Sequence, residues 1–138
     1  MNNYLKLPAH INNINNFREI VKSCMRENGF DEAQIIKVQM AVEEALVNVC
    51  NYAYPDKTGD VELKCYCVGE GCLKIELRDW GIPFNPLSVR DPDIKADLAD
   101  RKIGGLGIFL IKNIMDKVSY RREKNANVLE LIAYKKKT

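Results

Sequence analysis

Hydrophobic positions recur with two different periods along the chain, helical in the first part and alternating in the second. Residues 4–9, YLKLPA, alternate enough to predict a short strand, which Pro8 ends or confines to a sheet edge. The next apolar residues recur at three- and four-residue spacing and predict a first helix: Ile14, Phe17, Ile20, Val21 and Cys24. Gly29 follows the last turn of this helix as its expected C-cap.

A second, longer helix is predicted from about residue 32 to about residue 52, with Asp31 as its N-cap. The residues predicted to face the core share one side of this helix: Ile35, Val38, Val42, Ala45, Leu46 and Val49. Pro55, Asp56 and Gly59 then mark a loop. Downstream of that loop, residues 60–68 and 72–80 alternate apolar with polar, and a glycine-bearing turn joins them, so they predict a β-hairpin.

The remainder of the chain divides into a connection, a helix and a second hairpin. Residues 81–105 are rich in proline and aspartate, and a connection of this length is either a functional lid or disordered. Residues 107–118 predict a helix opened by glycines, and residues 118–125 and 127–136 predict a closing hairpin. The order therefore favours the α+β class, a two-layer α/β sandwich whose mixed, mostly antiparallel sheet is covered by helices on one face.

Length, charge and cysteine count narrow the class of protein. The 138 residues fit one domain, residues 1–138, with a lid at approximately residues 84–104. Hydrophobic content of 46% with a net charge of +2 is typical of a globular protein and gives no reason to expect nucleic-acid or membrane binding. No apolar run approaches the roughly 20 residues of a membrane span. Five cysteines without an export signal favour reduced thiols and a cytoplasmic location.

The second predicted helix carries a narrow polar stripe. With Glu44 as the reference direction, Asn48, Asn51 and Lys37 lie within roughly 40° of it, whereas Glu43 points roughly 100° away. One interpretation is the wet face of an ordinary amphipathic helix. The other is a site: Asn48 supplies an amide oxygen for Mg²⁺, and the carboxylate of Glu44 accepts a proton.

Two glycine-bearing turns offer further candidate chemistry. Asp79 ends a predicted strand, where a carboxylate can accept a hydrogen bond from an exocyclic amine, and Gly81 lets a ligand approach the backbone; an ordinary Asp-Gly-Pro turn is the alternative. Gly104, Gly105 and Gly107 directly precede an apolar helix, whose free N–H groups would suit a phosphate; the alternative is a flexible hinge before a helix.

Taken in order, the motifs E-x-x-x-N, D-x-G-x-P and G-G-L-G resemble the ATP-binding domain shared by gyrase, heat-shock chaperones, histidine kinases and mismatch-repair ATPases, the Bergerat fold. Chain length, lid length and the stretch AVEEALVNVCNYAY resemble, more narrowly, the anti-sigma-factor serine-protein kinases of bacterial partner-switching systems. The resemblance covers nearly the whole chain.

The resemblance implies a role for each motif residue. Glu44 matches the catalytic glutamate that activates the nucleophile, and Asn48 matches the asparagine that coordinates Mg²⁺. Asp79, with Gly81 beside it, matches the aspartate that recognises the adenine amino group. The resemblance also assigns contacts with the ATP phosphates to the backbone amides of Gly105 and Gly107.

Three positions depart from the family pattern. Tyr52 stands one turn after the Mg²⁺ asparagine, where related kinases often carry histidine, and Ala126-Asn127 stands where many carry Gly-Thr on the last-but-one strand. No basic residue is clearly assigned to the γ-phosphate; Arg101 and Lys102 at the end of the lid are candidates, or are simply solvated charges.

The resemblance implies a cytoplasmic protein kinase that uses ATP and Mg²⁺ to phosphorylate a serine or threonine of a small anti-sigma-factor antagonist protein. It also implies sequestration of a sigma factor or similar client, and a homodimer. Two alternatives remain at this stage. One is a domain that binds nucleotide but acts only by sequestering its partner, and the other is an interaction domain that binds no nucleotide.

The segment CYCVGEGC invites a metal interpretation. A structural Zn²⁺ site needs four ligands, and His10 is the only histidine and lies far off in the sequence. Thiols on the buried face of a strand are the favoured interpretation for Cys65 and Cys67, with Cys72 expected opposite Cys67 across the turn. Trp80 is predicted either to pack near the nucleotide or to cap the strand.

Overall fold

A computed structural model describes residues 3–88 and 105–136. Within these residues, three helices and five strands follow one another in the order that the sequence pattern predicts: β1 Tyr4–Pro8, α1 Ile14–Glu27, α2 Glu32–Tyr52, β2 Asp60–Cys67, β3 Cys72–Asp79, α3 Gly105–Ile114, β4 Lys117–Glu123 and β5 Ala126–Tyr134. Short 3₁₀ turns lie at Ile11–Asn13 and Pro86–Ser88. Most of the predicted lid, with Gly104, Arg101 and Lys102, lies outside the described residues.

The strands form one sheet in the order β1-β2-β3-β5-β4, and all four pairings are antiparallel. β3 lies at the centre of the sheet, between β2 and β5. Its last residue, Asp79, pairs with Val61 on one side and with Asn127 on the other. The register of three strands therefore determines what surrounds the Asp79 carboxylate.

The two faces of the sheet differ in chemistry, as the alternating pattern predicts. One face is apolar and is buried against α1, α2 and α3, with Leu63, Ile75 and Leu131 among its fully buried side chains. The opposite face carries ion pairs between strands, for example Arg121 of β4 with Glu76 of β3 at 2.9 Å, across the intervening β5. This arrangement confirms the predicted α+β sandwich with helices on one face.

Local signals account for both ends of the α1–α2 connection. Gly29 has φ +79, a left-handed conformation that a glycine adopts without the steric cost of a Cβ. The Asp31 carboxylate accepts a hydrogen bond from the Gln34 N–H at 2.7 Å, which is the predicted N-cap interaction. α2 then runs from Glu32 to Tyr52, the predicted bounds.

Three details of the sequence prediction were wrong. α3 ends at Ile114 rather than near Val118, because Lys117 and Val118 pair with β5 and the Asp116 N–H donates to the Ile132 carbonyl. Asn127 lies on β5, which is the last strand in the chain and only the last but one in sheet order.

The third error concerns the cysteines of the first hairpin. Cys67 pairs with Leu73, so Cys72 is not its partner across the turn, and the Val68 N–H donates to the Cys72 carbonyl instead. All five cysteines are free thiols; Cys65 is buried, whereas Cys67 and Cys72 are half-buried. Among the described residues, no group of three or more His, Cys, Asp or Glu side chains is arranged to hold a metal ion. None of the described helices has the length and apolar character required to cross a membrane.

Candidate functional site

A pocket opens between α2, β3 and β5, at the end of the sheet where β3 terminates. Counting its open mouth, it encloses about 450 Å³. Two of the predicted site residues, Asn48 on α2 and Asp79 on β3, line the same pocket. Apolar and aromatic side chains form much of the remaining wall, including Val49, Leu77, Phe84 and Tyr120. A mostly apolar cleft with a few directed polar groups is the usual form of a small-molecule site.

Asp79 is the buried carboxylate of this pocket, with 6% of its surface exposed. It occupies an inward-facing position of β3, where the alternation would otherwise place an apolar side chain. Its Oδ1 accepts hydrogen bonds from the Gly81 N–H at 3.0 Å and from Asn127 Nδ2 at 2.9 Å. Burial raises the pKa of Asp79, and these two hydrogen bonds, together with the nearby Arg122 guanidinium, oppose that rise.

Gly81 holds the turn after β3 against the end of α2. The Ile82 N–H donates to the Ala53 carbonyl at 2.9 Å, and a Cβ added at Gly81 would overlap that same carbonyl oxygen. The sequence suggested that Gly81 admits a ligand to the backbone. The structure gives this glycine a close backbone contact with α2, which brings α2 and Asp79 together.

Glu44 and Asn48 lie one turn apart on α2, and both are half-buried. The Glu44 carboxylate lies against the first turn of α3, since a Cβ added at Gly107 would be 2.8 Å from Glu44 Oε2. Burial raises the pKa of Glu44, and the neighbouring charge of Glu43 raises it further. Among the described residues, neither the Glu44 carboxylate nor the Asn48 amide has a hydrogen-bond partner, so both are available to a ligand.

The structure thus brings most of the predicted site residues to one region. Glu44 adjoins Gly107 at the start of α3, Asn48 and Asp79 line the pocket, and Gly105 is the first residue of α3. Two other members of the polar stripe, Lys37 and Asn51, are exposed and do not line the pocket.

Two positions of uncertain role now have defined surroundings. The ring of Tyr52 stacks on Phe84 with 5.6 Å between centroids, so the tyrosine supports one wall of the pocket. Trp80 lies outside the pocket lining. Its indole packs against the Lys6 ammonium at 4.7 Å, and its backbone N–H donates to the Tyr54 hydroxyl at 2.8 Å.

Sequence reasoning missed several residues that shape the site. Tyr120 and Arg122 converge on Asn127, which the sequence singled out only as a departure from the family pattern. Only the pairing register of the closing hairpin, Arg122 with Asn127, would have revealed this. Gln34 and Gln39 are buried on α2, where each donates to a backbone carbonyl, Tyr134 at 2.7 Å and Arg18 at 3.1 Å. These two amides fix α2 against its neighbours, and isolated glutamines give no sequence signal of that kind.

The sheet, its helical layer and the pocket at the end of β3 define an α+β domain with a candidate small-molecule site. A sequence profile of the family described as "Histidine kinase-like ATPase domain" matches residues 7–133, and the chain belongs to this family.

Among curated proteins, the chain is similar to relatives named serine-protein kinase RsbW. The chain is 28% identical over 131 residues to the serine-protein kinase RsbW of Listeria monocytogenes, an alignment that covers 91% of this chain and 82% of the relative. It is 25% identical over 129 residues to the serine-protein kinase RsbW of Bacillus cereus strain AH187, covering 91% and 80%.

A solved structure supports the fold independently. The histidine kinase domain of the blue-light activated histidine kinase from Erythrobacter litoralis EL346 superposes with a TM-score of 0.57 at 13% identity. The match covers 88% of this chain and 60% of that structure, so the chain spans less than two thirds of its length. The chain therefore shares the fold of that domain.

Proposed function

We propose that this chain is a cytoplasmic serine/threonine protein kinase that uses ATP and Mg²⁺, and that it also acts as an anti-sigma factor in a bacterial partner-switching system. One observation carries the proposal: the three ordered motifs converge, with Asn48 and Asp79 in one pocket and Glu44 against Gly107. The relatives named serine-protein kinase RsbW support the same activity.

The base of ATP would occupy the apolar part of the pocket. The Asp79 carboxylate is an acceptor inside an otherwise largely apolar cleft, and an exocyclic amine of adenine is a donor that it would bind. Phe84 and Val49 offer apolar surface in the same pocket. Asp79 therefore provides the polar recognition, and its neighbours provide the burial.

The phosphates would extend from the pocket toward Glu44 and the start of α3. The chemistry of the side chains present fits Mg²⁺, a hard cation that prefers oxygen ligands, and Asn48 would hold it through its amide oxygen. When bound, the ion neutralises charge on the transferring phosphoryl group. The backbone N–H groups at Gly105 and Gly107 lie in the first turn of α3, where they suit an anion.

Glu44 would act as the general base for an incoming serine or threonine hydroxyl. Its half-buried carboxylate has a raised pKa, and a carboxylate with a raised pKa accepts a proton more readily near neutral pH. The substrate would be a small anti-sigma-factor antagonist protein. The same chain would hold a sigma factor when that antagonist is phosphorylated.

A pull-down from the native cell, followed by phosphotransfer with labelled ATP, tests this function. The expected result is a co-purifying small protein that becomes labelled on serine or threonine. Tight binding of Mg-ATP without transfer to any co-purifying protein would instead favour a domain that only sequesters its partner. Absence of ATP binding would exclude both functions.

Asp79→Asn is expected to weaken ATP binding at least tenfold. Gly81 N–H and Asn127 Nδ2 both donate to Oδ1, so the new side chain keeps its oxygen there and turns its NH₂ group to the pocket. The new NH₂ group and the exocyclic amine of adenine are both donors, so the hydrogen bond to adenine is lost. Equilibrium titration with ATP measures the effect.

The matched control for this variant is Asp116→Asn. The Asp116 carboxylate accepts from the Tyr134 N–H at 2.7 Å, away from the pocket. The control should bind ATP as the wild type does. Equal affinities of the wild type and Asp79→Asn would show that Asp79 does not read the base.

Gly107→Ala is expected to slow phosphotransfer about tenfold or more without loss of folding. The added methyl group would lie 2.8 Å from Glu44 Oε2, and the flexible carboxylate can move away at low cost to the fold. Misplacing a reacting group by about 1 Å can cost a hundredfold in rate, whereas alanine is a better helix former than glycine. Single-turnover transfer measures the rate, and thermal unfolding measures the stability of the fold. A wild-type rate would show that Gly107 does not affect the position of the Glu44 carboxylate.

A further inference from the structure

Asn127 is the most highly connected polar side chain of the pocket, and only 5% of its surface is exposed. Its Nδ2 donates to Asp79 Oδ1 at 2.9 Å and to the Ile82 carbonyl at 2.8 Å. Its Oδ1 accepts from the Tyr120 hydroxyl at 2.6 Å, from Arg122 at 3.2 Å and from the Phe84 N–H at 3.3 Å. Both hydrogens of the amide are therefore used, and both are directed at acceptors.

These partners fix which way round the amide lies. Asp79 Oδ1 and the Ile82 carbonyl can only accept, and the Phe84 N–H and Arg122 can only donate. Exchanging the amide N and O would place acceptor against acceptor and donor against donor at four contacts. The orientation of Asn127 is thus determined by its surroundings, and so is the group that it presents to Asp79.

As a result, the two carboxylate oxygens of Asp79 differ in their hydrogen bonding. Oδ1 receives two hydrogen bonds, from Asn127 and from Gly81, whereas Oδ2 has no hydrogen-bond partner among the described residues. Asp79 lines the pocket, and Oδ2 is not among the described buried polar atoms left without a partner, so it remains accessible. A ligand in the pocket meets a single acceptor in a fixed position.

We infer that Asn127 is a positioning residue that holds Asp79 with one oxygen toward the ligand. This positioning strengthens the preference, provided by the Asp79 carboxylate, for purine nucleotides with an amino group over those with a carbonyl group at position 6. The inference rests on the proposed function, since it concerns the same pocket. It adds a residue that reads no base itself and acts through the carboxylate. Through Ile82 and Phe84, the same side chain also fixes the segment that forms the pocket wall.

The test compares affinities for ATP and ITP, which carries a carbonyl acceptor where ATP carries an amine donor. The wild type should prefer ATP by at least about tenfold, because a site built to accept a hydrogen bond rejects a ligand lacking the donor. Asp79→Asn should reverse the preference, because Asn127 and Gly81 hold the new oxygen and leave its NH₂ group facing the pocket. Asn127→Ala should reduce the wild-type preference about tenfold, the value of one hydrogen bond to a charged group.

The double variant distinguishes positioning from a general structural role. In Asp79→Asn combined with Asn127→Ala, only the Gly81 N–H is left to orient the new amide. The preference of this double variant for ITP over ATP should therefore be about tenfold smaller than that of Asp79→Asn alone. Leu131→Ala is the matched control, because Leu131 is a fully buried residue of the same strand that does not line the pocket. It should lower the thermal unfolding midpoint and leave the ratio of ITP to ATP affinity unchanged.

Each outcome is decisive. If Asn127→Ala keeps the wild-type ratio, or if the reversal is as large in the double variant, Asn127 does not position Asp79, and the proposed function is unaffected. A ratio that also changes in Leu131→Ala would assign the effect to general destabilisation and overturn the inference. If the wild type binds neither nucleotide, the proposed function fails and the inference fails with it.

Discussion

Glu44→Gln is expected to slow phosphotransfer by about 10²–10⁴-fold while leaving the affinity for ATP within about threefold of the wild type. Glutamine has nearly the shape of glutamate and fits the space beside Gly107, but its amide cannot accept the proton of an attacking hydroxyl. Transfer of labelled phosphate in a single turnover, measured alongside ATP titration, separates the chemical step from binding.

Glu43→Gln is the matched control, because it removes the adjacent carboxylate that points about a quarter turn away. It should retain transfer to within a few-fold. The negative charge of Glu43 contributes to the raised pKa of Glu44, so this control should shift the rise of rate with pH toward lower pH. Transfer by Glu44→Gln at the wild-type rate would remove Glu44 from the mechanism.

Glu44→Gln also changes the stability of the fold, and the sign of the change follows from the raised pKa of Glu44. Burial raises the pKa of Glu44 in the folded protein, so the unfolded chain ionises first as the pH rises. The folded wild type therefore loses stability between the ordinary pKa of a glutamate and the raised value, and glutamine does not. Denaturant unfolding should show Glu44→Gln gaining stability over the wild type at pH 7 relative to pH 4.

Gly81→Ala is expected to lower the free energy of unfolding by about 3 kcal/mol and to abolish ATP binding. A Cβ at this position would overlap the Ala53 carbonyl oxygen and lie 2.6 Å from the carbonyl carbon, and both belong to backbone that cannot rotate away. Relief of the overlap requires the turn after β3 to separate from α2. Because the Gly81 N–H also donates to Asp79, the carboxylate proposed to bind the base loses one of its two hydrogen-bond donors.

Gly69→Ala is the control for this substitution. Gly69 has φ +63 in the first hairpin turn, and a Cβ there would meet no atom within 4 Å. Alanine should cost about 1 kcal/mol of backbone strain at this position and leave ATP binding intact. Gly81→Ala that binds ATP normally would mean that the contact with Ala53 does not support the site.

The parts of the fold that the sequence predicted well are those with local causes. α2 has its predicted bounds because the Asp31 carboxylate caps its first turn, and that interaction spans only three residues. α3 was extended too far because its helical spacing continues past Ile114, whereas pairing of Lys117 and Val118 with β5 is a contact between distant residues. Periodicity reports local preference and carries no information about which strand lies alongside.

The residues of the candidate site also divide into those predicted from local spacing and those placed by contacts between distant parts of the chain. Glu44 and Asn48 are one turn apart, and Asp79 and Gly81 are two residues apart, so short motifs were enough to predict them as site residues. Asn127 reaches Asp79 from 48 residues further along the chain, through the register of β3 and β5. No spacing within the sequence encodes that register, and the network around Asn127 therefore emerged only from the structure.

The ion-paired face of the sheet also has a consequence for how fast partners arrive. The described ion pairs on β2, β3, β4 and β5 join four carboxylates to four cations, which leaves this group with no net charge: Glu62, Glu76, Glu123 and Glu130 with Lys64, Lys74, Arg78 and Arg121. Such a mosaic produces little field beyond a few ångströms, so it cannot steer a charged protein during diffusion. The contribution of this group to the rate of an encounter would be almost independent of ionic strength.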